Sequence, residues 1–413
     1  MANGLRIIVW PDHDIPNVVM YNFVRAGGRN EYPGITGLSH FFEHMMFNGT
    51  TSRKPGEFDR AMEAVGGANN AYTTNDLTVY QGWFPRSALK TILELEADRL
   101  QNLAIDPDVV ERERGVVYSE RRLRVDNDNW GRLYEQVRAT AFVAHPYQFP
   151  VIGWPSDIES WTQQDLESYF KTYYAPNNST MVFSGAVSPE EIFLLAEQYF
   201  APIPRQLPPP PVRTIEPEQA GERRLVIEKE AQTPLLHLAF HAGRAADPET
   251  QQMQLLLNIL TDGNSSRLHR LLVEEEQIAL SVAGVQIQGF DPGLVYIYLT
   301  LPPGADIDAV EARVLEELRR VAVEGVTRAE LGKARNIVLA DFWREIATIN
   351  GKASALGDFD VFTGSYENLF SLPEDVKAIT SQQIQAVAAK VFQQNNMTVG
   401  VLRSPTHTPG AGK

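Results

Sequence analysis

The chain repeats itself, and the repeat constrains its fold more than any single motif does. Asp157-Ile158-Glu159-Ser160-Trp161-Thr162 returns as Asp375-Val376-Lys377-Ala378-Ile379-Thr380, and Asn177-Asn178-Ser179-Thr180 returns as Asn395-Asn396-Met397-Thr398. Both pairs are 218 residues apart, with no insertion between them. Near the start, Leu5-Arg6-Ile7-Ile8-Val9 corresponds to Leu225-Val226-Ile227 at an offset of about 220. A constant offset over such distances indicates duplication of a whole domain. The junction contains Pro208-Pro209-Pro210-Pro211, which reads as a stiff, extended linker. The expected organisation is a lobe over residues 1–204, a linker over 205–221 and a second lobe over 222–413.

Each half alternates short β-rich runs with amphipathic helices. Leu5 to Trp10, Val18 to Val24 and Thr78 to Phe84 read as strands, and Leu89, Ile92, Leu93 and Leu100 mark a helix. This predicts an α+β fold in which each lobe is a largely antiparallel sheet with helices packed on it. Hydrophobic residues make up 43% of the 413, enough for two cores. A formal charge of −15 argues against nucleic acid as partner, because phosphate binding needs a basic face. With no cysteine, disulfides and thiolate metal sites are excluded. No apolar run approaches the ~18 residues of a membrane span. Met1 is followed almost at once by a strand, so no signal peptide is visible. The chain as written reads as cytoplasmic, or as periplasmic if a signal peptide has been removed.

The chemistry is concentrated in the first half. Ser39-His40-Phe41-Phe42-Glu43-His44 contains His-x-x-Glu-His. On a helix, His40 and His44 share one face and can grip one divalent metal, with Glu43 beside them to polarise a water. Downstream, Asp106 to Glu120 reads as one helix with Asp106 as N-cap and Pro107 at its first position. Glu113 and Glu120 fall on one face of that helix, so it can supply a carboxylate ligand. Taken alone, both glutamates read more readily as solvated partners of Arg112, Arg114 or Arg121, since charge-rich helices usually form solvated faces.

The combined pattern resembles the pitrilysin/insulinase/mitochondrial processing peptidase family. The motif lies 76 residues from His44 to Glu120, with Glu113 seven residues earlier. Val24 to Glu31 leading into Gly37-Leu38-Ser39-His40, Gly66 to Thr73, His145-Pro146-Tyr147 with Ile152-Gly153, and Tyr174-Ala175-Pro176-Asn177 are also similar. The resemblance covers essentially the whole chain. It implies two lobes facing one another across a chamber, and a zinc metalloendopeptidase acting on short or unfolded peptides. It implies one Zn²⁺ per chain on His40, His44 and Glu120, with Glu43 as general base. Glu113 becomes a catalytic-site carboxylate that orients His40 or His44. Asn70 and Ala71 fall on the family's edge strand, where a peptide substrate adds as a further strand.

The second half lacks the metal residues, since His40 maps near Asn258 and Glu120 near Val338. Arg267, in Gly263-Asn264-Ser265-Ser266-Arg267-Leu268, matches the arginine that reaches the substrate backbone in the family. Leu280 stands where the family places a tyrosine. The incomplete pair implies a homologous partner subunit, in a heterodimer or, with Arg267 working alone, a homodimer. A competing reading is a non-catalytic scaffold or assembly subunit, which some relatives have become. His237 and His241 share a strand face but lack a third ligand, and His13, His145, His269 and His407 read as capping or surface residues.

Overall fold

A computed structural model describes residues 1–405. Its ten strands, among the described residues, form two five-stranded sheets of identical order. The first contains β1 (Arg6–Pro11), β2 (Asn17–Val24), β3 (Ala68–Thr73), β4 (Thr78–Pro85) and β5 (Ser179–Gly185), arranged β1-β5-β2-β4-β3. The second contains β6 (Arg223–Glu228), β7 (Leu235–His241), β8 (Ser281–Ile287), β9 (Leu294–Thr300) and β10 (Met397–Arg403), arranged β6-β10-β7-β9-β8. In each sheet one outer strand runs parallel to its neighbour and every other pairing is antiparallel. The expected α+β class with largely antiparallel sheets is what the chain adopts.

The duplication reaches individual hydrogen bonds. Thr162 and Thr380 each cap a helix and form a capping box, with Asp165 and Gln383 as the reciprocal partners. Asn178 donates its amide to the Arg25 and Tyr173 carbonyls, and Asn396 donates to those of His241 and Val391. Residues 204–222 carry neither helix nor strand. Among the described residues no helix is long and apolar enough to cross a membrane.

The compact units depart from the linker-based division. One unit comprises residues 1–121, 149–214 and 342–371, and the other comprises 122–148, 215–341 and 372 onward. Helix Ile349–Thr363 from the second half packs on β2 and β5 of the first sheet. Helix Asn129–Ala141 from the first half packs on β7 and β10 of the second. These two helices stand at equivalent places in the repeat, so each repeat gives one helix to the other's sheet. Close backbone approach makes both contacts work. A side chain at Gly357 would run into the Phe23 ring, and one at Gly400 would run into Val137. In the second unit, Leu133, Val137 and Ala141 join Leu235, Ala239 and Leu402 in a core of their own.

His237 and His241 of the second unit are committed to packing. The His241 Nε2–H donates to the Ala141 carbonyl at 2.9 Å. His237 is fully buried between the Trp130 and Tyr298 rings, and neither ring nitrogen has a hydrogen-bond partner among the described residues. Burial pushes its pKa down to about 3. His145 departs from expectation: it is buried, bonded through Nε2 to Asp291 at 3.1 Å, and its Nδ1 accepts the Tyr147 N–H. His407 lies outside the described residues.

Two stability tests follow from this packing. Gly357→Val should lower the unfolding free energy by about 1–3 kcal/mol through overpacking, with partial recovery in combination with Phe23→Leu. An unchanged denaturation midpoint would remove the close-approach argument. For His237, the unfolded state binds the proton below about pH 6.5 while the folded state does not until about pH 3. The stability due to its neutral form is therefore present above pH 6.5 and lost as pH falls, by about 1.4 kcal/mol per pH unit. His237→Leu should flatten this limb of a denaturation-against-pH series relative to wild type.

Candidate metal centre

The centre is built where two helices meet. α1 (Leu38–Met45) begins at Gly37, whose φ of 90° and close contact with Ile152 and Gly153 admit only glycine. Glu31 is buried against this start and accepts the N–H groups of Gly37 at 2.6 Å and Ser39 at 2.7 Å. It thereby satisfies orphan donors and places negative charge at the positive end of the helix. Leu38, Phe41, Phe42 and Met45 are buried in the core, which turns His40, Glu43 and His44 toward the half-exposed face. A second helix, Pro107–Arg121, starts at Asp106, whose Oδ1 accepts from Asp108 N at 3.0 Å and Val109 N at 3.1 Å. Val109, Val110 and Val117 anchor it in the same core, and Glu113 and Glu120 project toward α1.

The donor atoms converge. Glu120 Oε2 lies 3.5 Å from His40 Nε2 and 3.4 Å from His44 Nε2. All three ligand atoms lie within 4.8 Å of one another. A tetrahedral ion with bonds of about 2.0–2.1 Å holds its ligands about 3.3 Å apart. The residues therefore fit a single divalent ion, with two imidazoles, one carboxylate and an open fourth position. Glu113 settles the choice that the sequence left open, because its Oε1 pairs with His44 Nδ1 at 2.7 Å. Its other oxygen accepts from Asn48 Nδ2 at 3.0 Å, and the same amide group donates to the His44 carbonyl at 3.1 Å. This clamp places the His44 proton on Nδ1 and aims the Nε2 lone pair at the ligand cluster.

Electrostatics follow the same contacts. Burial pushes the His44 pKa down, but hydrogen bonds and charge from Glu113 and Glu120 outweigh it and raise the value to about 9, so an incoming ion must displace a proton to reach the Nε2 lone pair. Burial alone would raise Glu113, and the His44 and Asn48 contacts hold it below its ordinary range.

Glu43 accepts a hydrogen bond from Thr73 Oγ1 on β3. Sequence reasoning did not single out Thr73 or Asn48 as functional. The signal for Thr73 was its place two residues after Ala71, hence on the same strand face. Asn48 follows His44 by four residues, the spacing of one helical turn. Asn70 and Ala71 lie on β3, which among the described residues pairs only with β4, leaving its outer edge available to a further strand.

Arg267 is turned inward, contrary to its expected reach toward substrate. Its Nε and Nη2 donate to Glu330 at 2.6 and 2.8 Å, Nη1 to Glu317 at 3.2 Å, and Nη2 also to the Gly325 carbonyl. A mostly buried guanidinium needs such carboxylates, and breaking them would leave uncompensated charge. Leu280 is half exposed and its side chain offers no donor. Asn258 and Val338 sit on ordinary helices, Glu249–Thr261 and Arg328–Ile346.

Two histidines and a carboxylate converge beside the motif glutamate in the first unit, and among the described residues no second such cluster occurs. The chain belongs to peptidase family M16: residues 12–153 match the insulinase domain of that family, and residues 160–338 match its inactive domain. The zinc protease PqqE of Helicobacter pylori is 28% identical, covering 95% of this chain and 86% of the relative. The probable mitochondrial-processing peptidase subunit beta of Schizosaccharomyces pombe is 27% identical, covering 98% and 90%. Among solved structures, a protease from Helicobacter pylori superimposes with a TM-score of 0.94 at 27% identity, covering 98% of this chain and 97% of that one. A peptidase M16 inactive domain from Pseudomonas fluorescens gives 0.91 at 17% identity, covering 98% and 97%, a likeness of fold.

The geometry separates the two carboxylates. Glu120→Gln should sharply lower the metal content of the purified protein. Glu113→Gln should weaken affinity by about 10–100-fold, the range for groups that orient a ligand. If Glu113→Gln loses the metal and Glu120→Gln keeps it, the assignment is reversed.

Proposed function

We propose that this chain is a zinc metalloendopeptidase that cleaves short or unfolded peptides. The observation that carries the reading is the convergence of His40, His44 and Glu120, with Glu43 on the same helix and bonded to an open-edged strand. An extended peptide adds to β3 beside Asn70 and Ala71 through main-chain hydrogen bonds. His40, His44 and Glu120 would hold a Zn²⁺, which when bound supplies Lewis acidity toward the scissile carbonyl and lowers the pKa of water. Glu43 takes a proton from the attacking water and passes it to the departing amine. Thr73 fixes the Glu43 carboxylate, and Glu113 with Asn48 fixes His44. The names of the relatives, zinc proteases and a processing peptidase subunit, support the same activity.

A homologous second subunit belongs to this reading. Arg267 is tied to Glu330 and Glu317, and Leu280 cannot donate a hydrogen bond, so this chain's second lobe offers no arginine–tyrosine pair to a substrate backbone. A partner that carries the pair but not the zinc motif would complete it in a heterodimer. Such completion raises rate by fixing the peptide's position.

Glu43→Gln should retain about one zinc per chain and lower kcat/KM for peptide hydrolysis by about 10²–10⁴-fold. Near-normal turnover with zinc bound would remove Glu43 from the mechanism, and wild type that takes up no zinc would favour a scaffold subunit. Full activity of the isolated chain, unchanged by any co-expressed relative, would eliminate the partner.

A further inference from the structure

A cavity of about 450 Å³ opens beside Glu43 and His44, between β3 and helix Glu57–Ala64. Phe47 and Ala71 give it an apolar wall, and Asn48, Asp59, Asn69 and Glu113 a polar one. The hydrogen bonds fix how the polar groups face it. The Asn48 amide nitrogen is spent on the His44 carbonyl and Glu113, which leaves Asn48 Oδ1 as an acceptor. Asn69 Nδ2 donates to Asp59 Oδ1 at 3.0 Å, which orients the Asn69 carbonyl and holds Asp59 in place. Both Glu113 oxygens are engaged, by His44 and Asn48. Asp59 forms no ion pair among the described residues. No lysine or arginine lines the cavity, and Arg60, next in sequence to Asp59, is exposed and outside the lining.

The cavity therefore offers acceptors and negative charge around an apolar wall, and it adjoins the proposed base. Its complement is a side chain with an apolar stem and a cationic, donor-rich head. We propose that this cavity receives a residue flanking the scissile bond and selects lysine or arginine there, with Asp59 as the selecting residue, an assignment that rests on the peptidase reading above. The stem packs on Phe47 and Ala71. The head donates to Asp59, Asn48 and Asn69 in charge-assisted bonds. Asp59 touches neither the ligand set nor Glu43, so it governs which peptide is taken rather than the bond-breaking step.

The test uses the zinc-loaded full chain, with a partner subunit where one is needed for turnover. Matched fluorescent peptides carry lysine, norleucine or glutamate at each position flanking the scissile bond. At one of these positions lysine should exceed norleucine in kcat/KM by about 10- to 100-fold, the worth of a hydrogen bond to a charged group. Asp59→Asn, which keeps the acceptor for Asn69, should bring that ratio near one. Asp59→Lys should turn the preference toward glutamate. The same peptides are titrated by fluorescence anisotropy into Glu43→Gln, with and without Asp59→Asn, which needs no turnover. Equal binding of lysine and norleucine peptides, or a ratio indifferent to Asp59→Asn, overturns the proposal. Lysine-selective, Asp59-dependent binding by a chain that hydrolyses no peptide would keep the subsite and sink the peptidase reading instead.

Discussion

The hydrogen bond between His44 and Glu113 joins two helices that could not build the centre separately. α1 has only eight residues, too few to be stable in isolation. It persists because four of its apolar side chains are buried, because Glu31 occupies its first N–H groups, and because Glu113 grips the last functional residue from across the gap. The contact also decides the protonation pattern. With its proton on Nδ1, His44 presents a lone pair to the same point as His40 and Glu120. Removing the contact would disturb helix placement and ligand orientation together.

Much of this was legible because it is local. Motif spacing places His40 and His44 on one helical face, and Glu113 and Glu120 on another, whatever the tertiary arrangement. The constant 218-residue offset likewise announces two similar sheets. Other features depend on partners far along the chain. Arg267 is neutralised by Glu330, 63 residues on, and His145 is buried against Asp291, 146 residues on. Nothing in either neighbourhood names those partners. Periodicity shows which face of a helix is buried, but not which sheet receives it. The crossing of helices 129–141 and 349–363 was therefore invisible, although Gly357 and Gly400 mark the close approach in retrospect.

The two halves show how separable scaffold and chemistry are. The capping boxes of Thr162 and Thr380 and the paired carbonyl contacts of Asn178 and Asn396 persist in both copies. Helix Glu249–Thr261, where the ligands would have been, is filled with Leu255, Leu256, Leu257, Ile259 and Leu260. The sheet and its caps are stabilised by contacts that never touched the metal ligands, so the second copy could lose the ligands and keep its core.

The crossed helices impose an order on the chain's birth. When the ribosome has finished residues 1–214, the sheet against which α1 packs still lacks the helix that packs over Phe23 and Tyr21. That helix ends at Thr363, about 150 residues later, a delay on the order of ten seconds at ordinary synthesis rates. The half that contains His40, His44 and Glu120 is thus unfinished until the other half is nearly complete. A cut in the proline-rich segment would put each sheet and its covering helix on different pieces of chain, so the two sequence halves cannot be parted without uncovering both sheets.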